Sequence, residues 1–223
     1  MFICALHGFL GQPQDFNALN IPEIKALDIF RTHICSLEAW SRRLNNLLPP
    51  ASLIMGYSMG GRLTLNCLVR SPERFRAAII LAAHPGIAQK EVRLKRYEAD
   101  KIWSKHFLEE PWEVLMKSWH AQPTLLSSEL VIRKERDFDR QELARALRYF
   151  SLGSQENLIP EINQLEMPIL WLNPQEEAHN LAGLRLKNPL SRLFYMPLGG
   201  HRFMMSEAKM TSQLITNFIN SLE

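Results

Sequence analysis

The chain has 223 residues, 46% of them hydrophobic and 22% charged, enough to bury one sizeable core and ordinary for a globular protein. Its formal net charge of +3 is slight and its basic residues are interspersed with acids, so no nucleic-acid partner and no membrane surface is expected. Cys4, Cys35 and Cys67 lie in or beside apolar patterns without C-x-x-C spacing, which points to buried thiols in a reducing, cytoplasmic compartment and to no metal site.

Met1 leads almost at once into an apolar strand over residues 2–6, with neither the charged start nor the apolar length of a secretory leader or a membrane span. His7-Gly8-Phe9 follows as a loop. Further strands are expected at 24–29, 51–56, 76–82, 167–173 and 190–197, and helices at 36–48, 59–70, 178–186 and 203–221. This alternation predicts a mostly parallel sheet flanked by helices. Residues 87–150 interrupt it with several helical patterns and no convincing strand. The expected organisation is therefore an α/β core, residues 1–86 and 151–223, carrying a helical cap over 87–150. The cap holds Trp103, Trp112, Trp119 and a basic run of Arg93, Lys95, Arg96, Lys101 and Lys105.

The chemistry is announced between the third strand and its helix, where Gly56-Tyr57-Ser58-Met59-Gly60 forms a G-x-S-x-G pentapeptide. A serine on a sharp strand-to-helix turn needs neighbours without Cβ atoms, and Oγ then stays exposed as a nucleophile. The partners of such a serine follow in the chain order acid, then histidine. His201 stands on Gly199-Gly200 beyond the last strand, free to swing toward Ser58. The acid belongs after residues 167–173, where Asn173-Pro174-Gln175-Glu176-Glu177 offers Glu177 or Glu176 and no aspartate. Backbone N–H groups of Phe9, after the first strand, and Met59, after the serine, are the expected oxyanion hole. His7 is expected to shape its loop and not to transfer protons.

Four stretches carry a resemblance to a known family: Gly56-Tyr57-Ser58-Met59-Gly60-Gly61-Arg62, His84-Pro85-Gly86, residues 103–111 from Trp103 to Pro111, and Trp119-His120-Ala121-Gln122-Pro123. Together they resemble the SHCHC synthases of menaquinone biosynthesis, lyases built on the α/β-hydrolase fold. The resemblance spans roughly residues 2–123 and returns around His201. It implies elimination of pyruvate from a cyclohexene polycarboxylate by proton abstraction, with no cofactor, the serine and His201 acting as base or proton relay. It also implies a small anionic substrate held by arginine forks. Arg62 and Arg96 match substrate arginines, Trp119 a pocket aromatic and Tyr57 an elbow hydroxyl donor. Arg133 and Arg136 are both candidates for a third arginine. Where the family has Gly-x-x-Asp this chain has Pro174-Gln175-Glu176-Glu177, and aligning the glycine with Pro174 puts Glu177 at the acid position. Two other classes remain: an esterase, for instance one acting on a short acyl methyl ester of a carrier protein, and a binding protein without activity.

Overall fold

The computed structural model describes residues 2–30 and 36–223, and Cys35 lies outside them. Six parallel strands form one sheet in the order β2-β1-β3-β4-β5-β6: β1 Ile3–Leu6, β2 Ile24–Leu27, β3 Ser52–Tyr57, β4 Phe75–Leu81, β5 Ile169–Pro174 and β6 Arg192–Met196. β1, β3 and β5 are buried throughout, as short apolar runs covered on both faces must be. Alternate side chains divide between two cores. Cys4, Leu6 and Ile54 meet α1 (Leu37–Leu47) and α2 (Met59–Arg70) through Trp40, Leu44, Leu63 and Leu68. Ile3, Ala5, Leu53 and Met55 share the opposite core with Ile215, Phe218 and Ile219. Burial pushes the Cys4 and Cys67 thiols up to about 12, so both are inert.

Strand order sets where a ligand fits. From β1 the chain passes to β2 on one side and to β3 on the other, so the connections leave the ends of β1 and β3 in opposite directions. A crevice opens outside the carboxyl ends of strands at such a reversal. The loop after β1 begins at His7, and the turn after β3 is Ser58.

Between β4 and β5 the chain leaves the sheet to build α3 (Lys90–Glu109), α4 (Trp112–His120), α5 (Arg140–Tyr149) and the short α6 (Ile159–Ile162). Asp139 caps α5 by accepting from the N–H groups of Gln141 and Glu142. A parallel bridge between Ile87 and Glu156 pinches the base of the insertion. A third apolar cluster of Phe107, Leu115, Leu143 and Leu147 joins it to Leu10 of the β1 loop.

Two expected elements differ. Residues 178–186 do not form an α-helix; the chain makes a 3-10 helix over Gln175–Leu181 and then runs irregularly, with Gly183 at φ +86°. A glycine in the left-handed region ends helical winding, and Pro189 is available only to an extended segment. The expected helix over 203–221 is two pieces, α7 (Phe203–Ser206) and α8 (Ala208–Asn220), divided at Glu207.

A tight approach between helix and sheet lies at Gly60. A Cβ there would stand 2.1 Å from the Leu6 carbonyl oxygen and 2.5 Å from that of His7. Gly60→Ala is expected to cost at least about 2 kcal/mol, because backbone on both sides must give way. Urea unfolding measures it; a midpoint equal to that of the parent would mean that the end of β1 yields freely.

Candidate active site

Ser58 sits at φ 54°, ψ −115°, a conformation rare for a residue with a side chain. Its N–H donates to Leu81 at 2.9 Å and its carbonyl accepts from Arg62 N–H at 3.0 Å, so the strained turn is tied to β4 and to the first turn of α2. The serine Oγ lies 2.8 Å from His201 Nε2, and His201 Nδ1 lies 2.7 Å from Glu177 Oε1. An ionised carboxylate only accepts, so Nδ1 carries the proton, Nε2 offers its lone pair and the serine hydroxyl donates to it. Gly199, at φ +85°, turns the chain from β6 to His201; a Cβ there would meet Phe203 Cα at 2.8 Å. Of the two glutamates, Glu177 meets the histidine, whereas Glu176 accepts from Ser127 Oγ at 2.7 Å.

Two backbone N–H groups lie close to the same serine in the chain path. Met59 opens α2, so its N–H has no acceptor within the helix. Phe9 lies in the turn closed by Gly11 N–H donating to Gly8, and no acceptor for its own N–H is found among the described residues. A Cβ on Gly8 would stand 3.1 Å from Ser58 Cβ, so the turn closes directly on the serine. His7 is consumed by this loop: Nδ1 donates to the Gly8 carbonyl at 2.8 Å and Nε2 accepts from Ile29 N–H at 3.1 Å.

The remaining sequence candidates divide. Arg62 is buried, donates to the Phe150 carbonyl at 2.7 Å, and forms no ion pair with any carboxylate among the described residues. Burial, then Arg96, push its guanidinium down to about 10, still charged at neutral pH. Arg96 is half-exposed and its Nε donates to Asp100 at 2.9 Å. Arg133 forks onto Asp15 with bonds of 2.9 and 2.7 Å, while Arg136 is solvent-exposed. A cavity of about 560 Å³ lined by Lys134, Glu135 and Arg136 contains none of the groups around Ser58. Tyr57 donates its hydroxyl to the His201 carbonyl at 3.1 Å, and burial pushes the phenol well up. Trp119 packs on Phe9 at 4.8 Å, Trp103 at 5.0 Å and Phe107 at 5.3 Å between ring centres, an aromatic wall joining the insertion to the oxyanion turn.

Three further groups join the site to which the sequence assigned no role, although His84 lies in one of the stretches that carry the resemblance. Arg202 donates to His120 Nδ1 at 3.0 Å and to the Glu129 carbonyl at 2.9 Å. His84 accepts the Gly86 N–H on Nδ1 at 3.0 Å. Gln155, also buried, presents Oε1 to Arg62 at 3.5 Å. Arg202, next to His201, and His84, in the His-Pro-Gly stretch, had a positional hint; Gln155 had none.

No model of a protein family matches the chain. The solved structure of MenH from S. aureus superposes with a TM-score of 0.83 at 20% identity, covering 99% of this chain and 94% of that one. The chain has the α/β-hydrolase fold. In sequence it resembles the SHCHC synthases. The 2-succinyl-6-hydroxy-2,4-cyclohexadiene-1-carboxylate synthase of Klebsiella pneumoniae is 29% identical over 131 residues, 56% of this chain and 52% of that protein. A putative synthase of the same name from Haemophilus influenzae is 23% identical over 240 residues, 97% of this chain and 96% of the other. In the Klebsiella match the chain thus spans about half the length of its relative. No helix among the described residues is long and apolar enough to cross a membrane.

Electrostatics at His84 yield a measurable consequence. Burial, then Arg62 and Arg96, pull its imidazole down from 6.5 to about 4. The folded protein therefore holds His84 neutral while the unfolded chain takes up a proton, so the stability tied to this site is complete above 6.5 and is lost as pH falls toward about 4. His84→Asn, which keeps an acceptor for Gly86, is expected to flatten the decline of Tm over this window. A decline as steep as the parent's would place the acid sensitivity elsewhere.

Proposed function

We propose that the protein is a lyase that eliminates pyruvate from a cyclohexene polycarboxylate, as its resemblance to the SHCHC synthases implies, with Ser58, His201 and Glu177 as its catalytic residues. The observation that carries this reading is the hydrogen-bonded chain from Glu177 through His201 to Ser58, close to a buried guanidinium with no carboxylate of its own. Sequence similarity to the synthases supports the same assignment.

The chemistry follows from the proton positions. His201 Nε2 takes the Ser58 proton, and the serine oxygen removes a proton from a ring carbon beside a conjugated carbonyl. Electron density moves onto that carbonyl oxygen, where the Phe9 and Met59 N–H groups receive it in a site walled by aromatic rings. As the electrons return to the ring and its double bond shifts, the C–O bond to the enolpyruvyl group breaks, and the enolate released takes up the proton held by His201 at its methylene carbon to become pyruvate. Glu177 keeps the Nδ1 proton in place and balances the imidazolium. The small substrate is anionic, and Arg62 supplies a charge-assisted bond to one of its carboxylates.

Ser58→Ala and His201→Ala are each expected to lower pyruvate release by at least ~1,000-fold with folding intact, since triad members act as a unit. Glu177→Gln is expected to be far more damaging than Glu176→Gln, because only Glu177 reaches the imidazole. The reverse ranking would remove Glu177 from the mechanism.

Arg62→Ala is expected to reduce kcat/KM for the polycarboxylate by roughly 10- to 150-fold and to leave hydrolysis of p-nitrophenyl acetate nearly unchanged. A wild type that hydrolyses the ester rapidly and releases no pyruvate would favour the esterase reading, including one with a carrier-protein substrate.

A further inference from the structure

Arg62 leaves a problem that the elbow does not solve. Its side chain is buried, its positive charge is unpaired, and its partners are the Phe150 carbonyl and a long contact to Gln155 Oε1. A buried cation without an anion is costly, and the cost is relieved when an anion binds. The nearest acid to act on it, Asp100, is already bonded to Arg96 at 2.9 Å and to Ser151 Oγ at 2.7 Å.

A second orphan stands beside the first. Gln155 is only 2% exposed, and its Nε2 has no hydrogen-bond partner among the described residues. Its amide cannot be turned round to cure this, because Arg62 only donates and therefore requires Oε1. A buried cation without an anion thus meets a buried amide donor without an acceptor.

The third donor is His84. Gly86 N–H occupies Nδ1, so the neutral ring carries its proton on Nε2, for which no acceptor exists among the described residues. Arg62, Arg96 and Glu177 all act on this ring electrostatically. Backbone pairing fixes its relation to Gln155: Ile87 N–H donates to the Gln155 carbonyl at 3.4 Å and Leu158 N–H to that of Pro85 at 2.9 Å. Residues 85–87, directly after His84, therefore lie along residues 155–158.

We propose that Arg62, His84 Nε2 and Gln155 Nε2 form one carboxylate receptor, in which His84 and Gln155 are specificity-determining residues for an anionic arm of the substrate. The receptor offers one charge and two neutral donors to a group with two acceptor oxygens, so it distinguishes a carboxylate from its amide or ester. It rests on the reading of the Ser58 site as one for a polycarboxylate, but binding can be measured without turnover.

The probe is succinate, with succinamide as the neutral control, titrated calorimetrically into the wild type, Gln155→Leu and Gln155→Glu. The wild type is expected to bind succinate in the millimolar range and succinamide not at all. Both variants are expected to bind succinate at least ~10-fold more weakly, the loss of one charge-assisted hydrogen bond.

Gln155→Glu gives the test a second readout. An internal carboxylate at this position would pair with Arg62, so Tm should hold or rise while succinate binding disappears, an outcome that a packing role does not produce. His84→Phe should weaken succinate binding similarly. Affinity unchanged in all three variants, or no succinate binding by the wild type, overturns the proposal. A wild type that binds succinate through these residues but releases no pyruvate supports the receptor and rejects the lyase reading.

Discussion

Everything near the site depends on one backbone conformation, that of Ser58. A residue held at positive φ with ψ near −115° relaxes unless its surroundings forbid it. Here the Leu81 carbonyl holds its N–H, the first turn of α2 holds its carbonyl, and Gly60 lets α2 press against the ends of β1. Strain is thereby converted into direction. The hydroxyl reaches His201, the N–H of Met59 is left without an acceptor in the first turn of α2, and Arg62 emerges one turn further along the same helix.

Around that fixed point the charges are arranged unequally. Most cations of the insertion are neutralised locally: Arg96 by Asp100, Lys101 by Glu98, Arg133 by Asp15. Arg62 is both buried and without such a partner, and Arg202, beside His201, is held by neutral acceptors alone. A protein that pairs its exposed cations and leaves a buried one bare keeps a positive field where water is scarce. Such a field discriminates among ligands by charge before shape is consulted.

Much of this was legible in residue order. Apolar runs located β1, β3, β4 and β5, because strands covered on both faces have few polar positions to blur their ends; the edge strands β2 and β6, with Lys25 and Arg192, are less buried and were read from the alternation with helices. The elbow was legible because its glycines are demanded by sterics. The expected helix at 178–186 went wrong because its apolar spacing carried no indication that Gly183 takes a left-handed turn. The residues alone left Glu176 and Glu177 as alternatives and the resemblance favoured Glu177; the fold gives Glu177 to His201 and Glu176 to Ser127. Gln155 had no signal at all. A glutamine becomes informative only when the chain, 93 residues later, folds it against Arg62 and away from every acceptor.

The segment after α4 touches both loops that carry the serine's partners. Ser127 bonds to Glu176 beside the acid, and Ser128 Oγ accepts from the N–H of Arg202 beside the histidine, at 3.2 Å. Two loops that leave different strands therefore share one brace. Their spacing is not the difference of two independent loop positions, each with its own thermal wander, but a length set across a common crosspiece. Fluctuations of the insertion move acid and base in concert, and the imidazole keeps its alignment while the framework breathes.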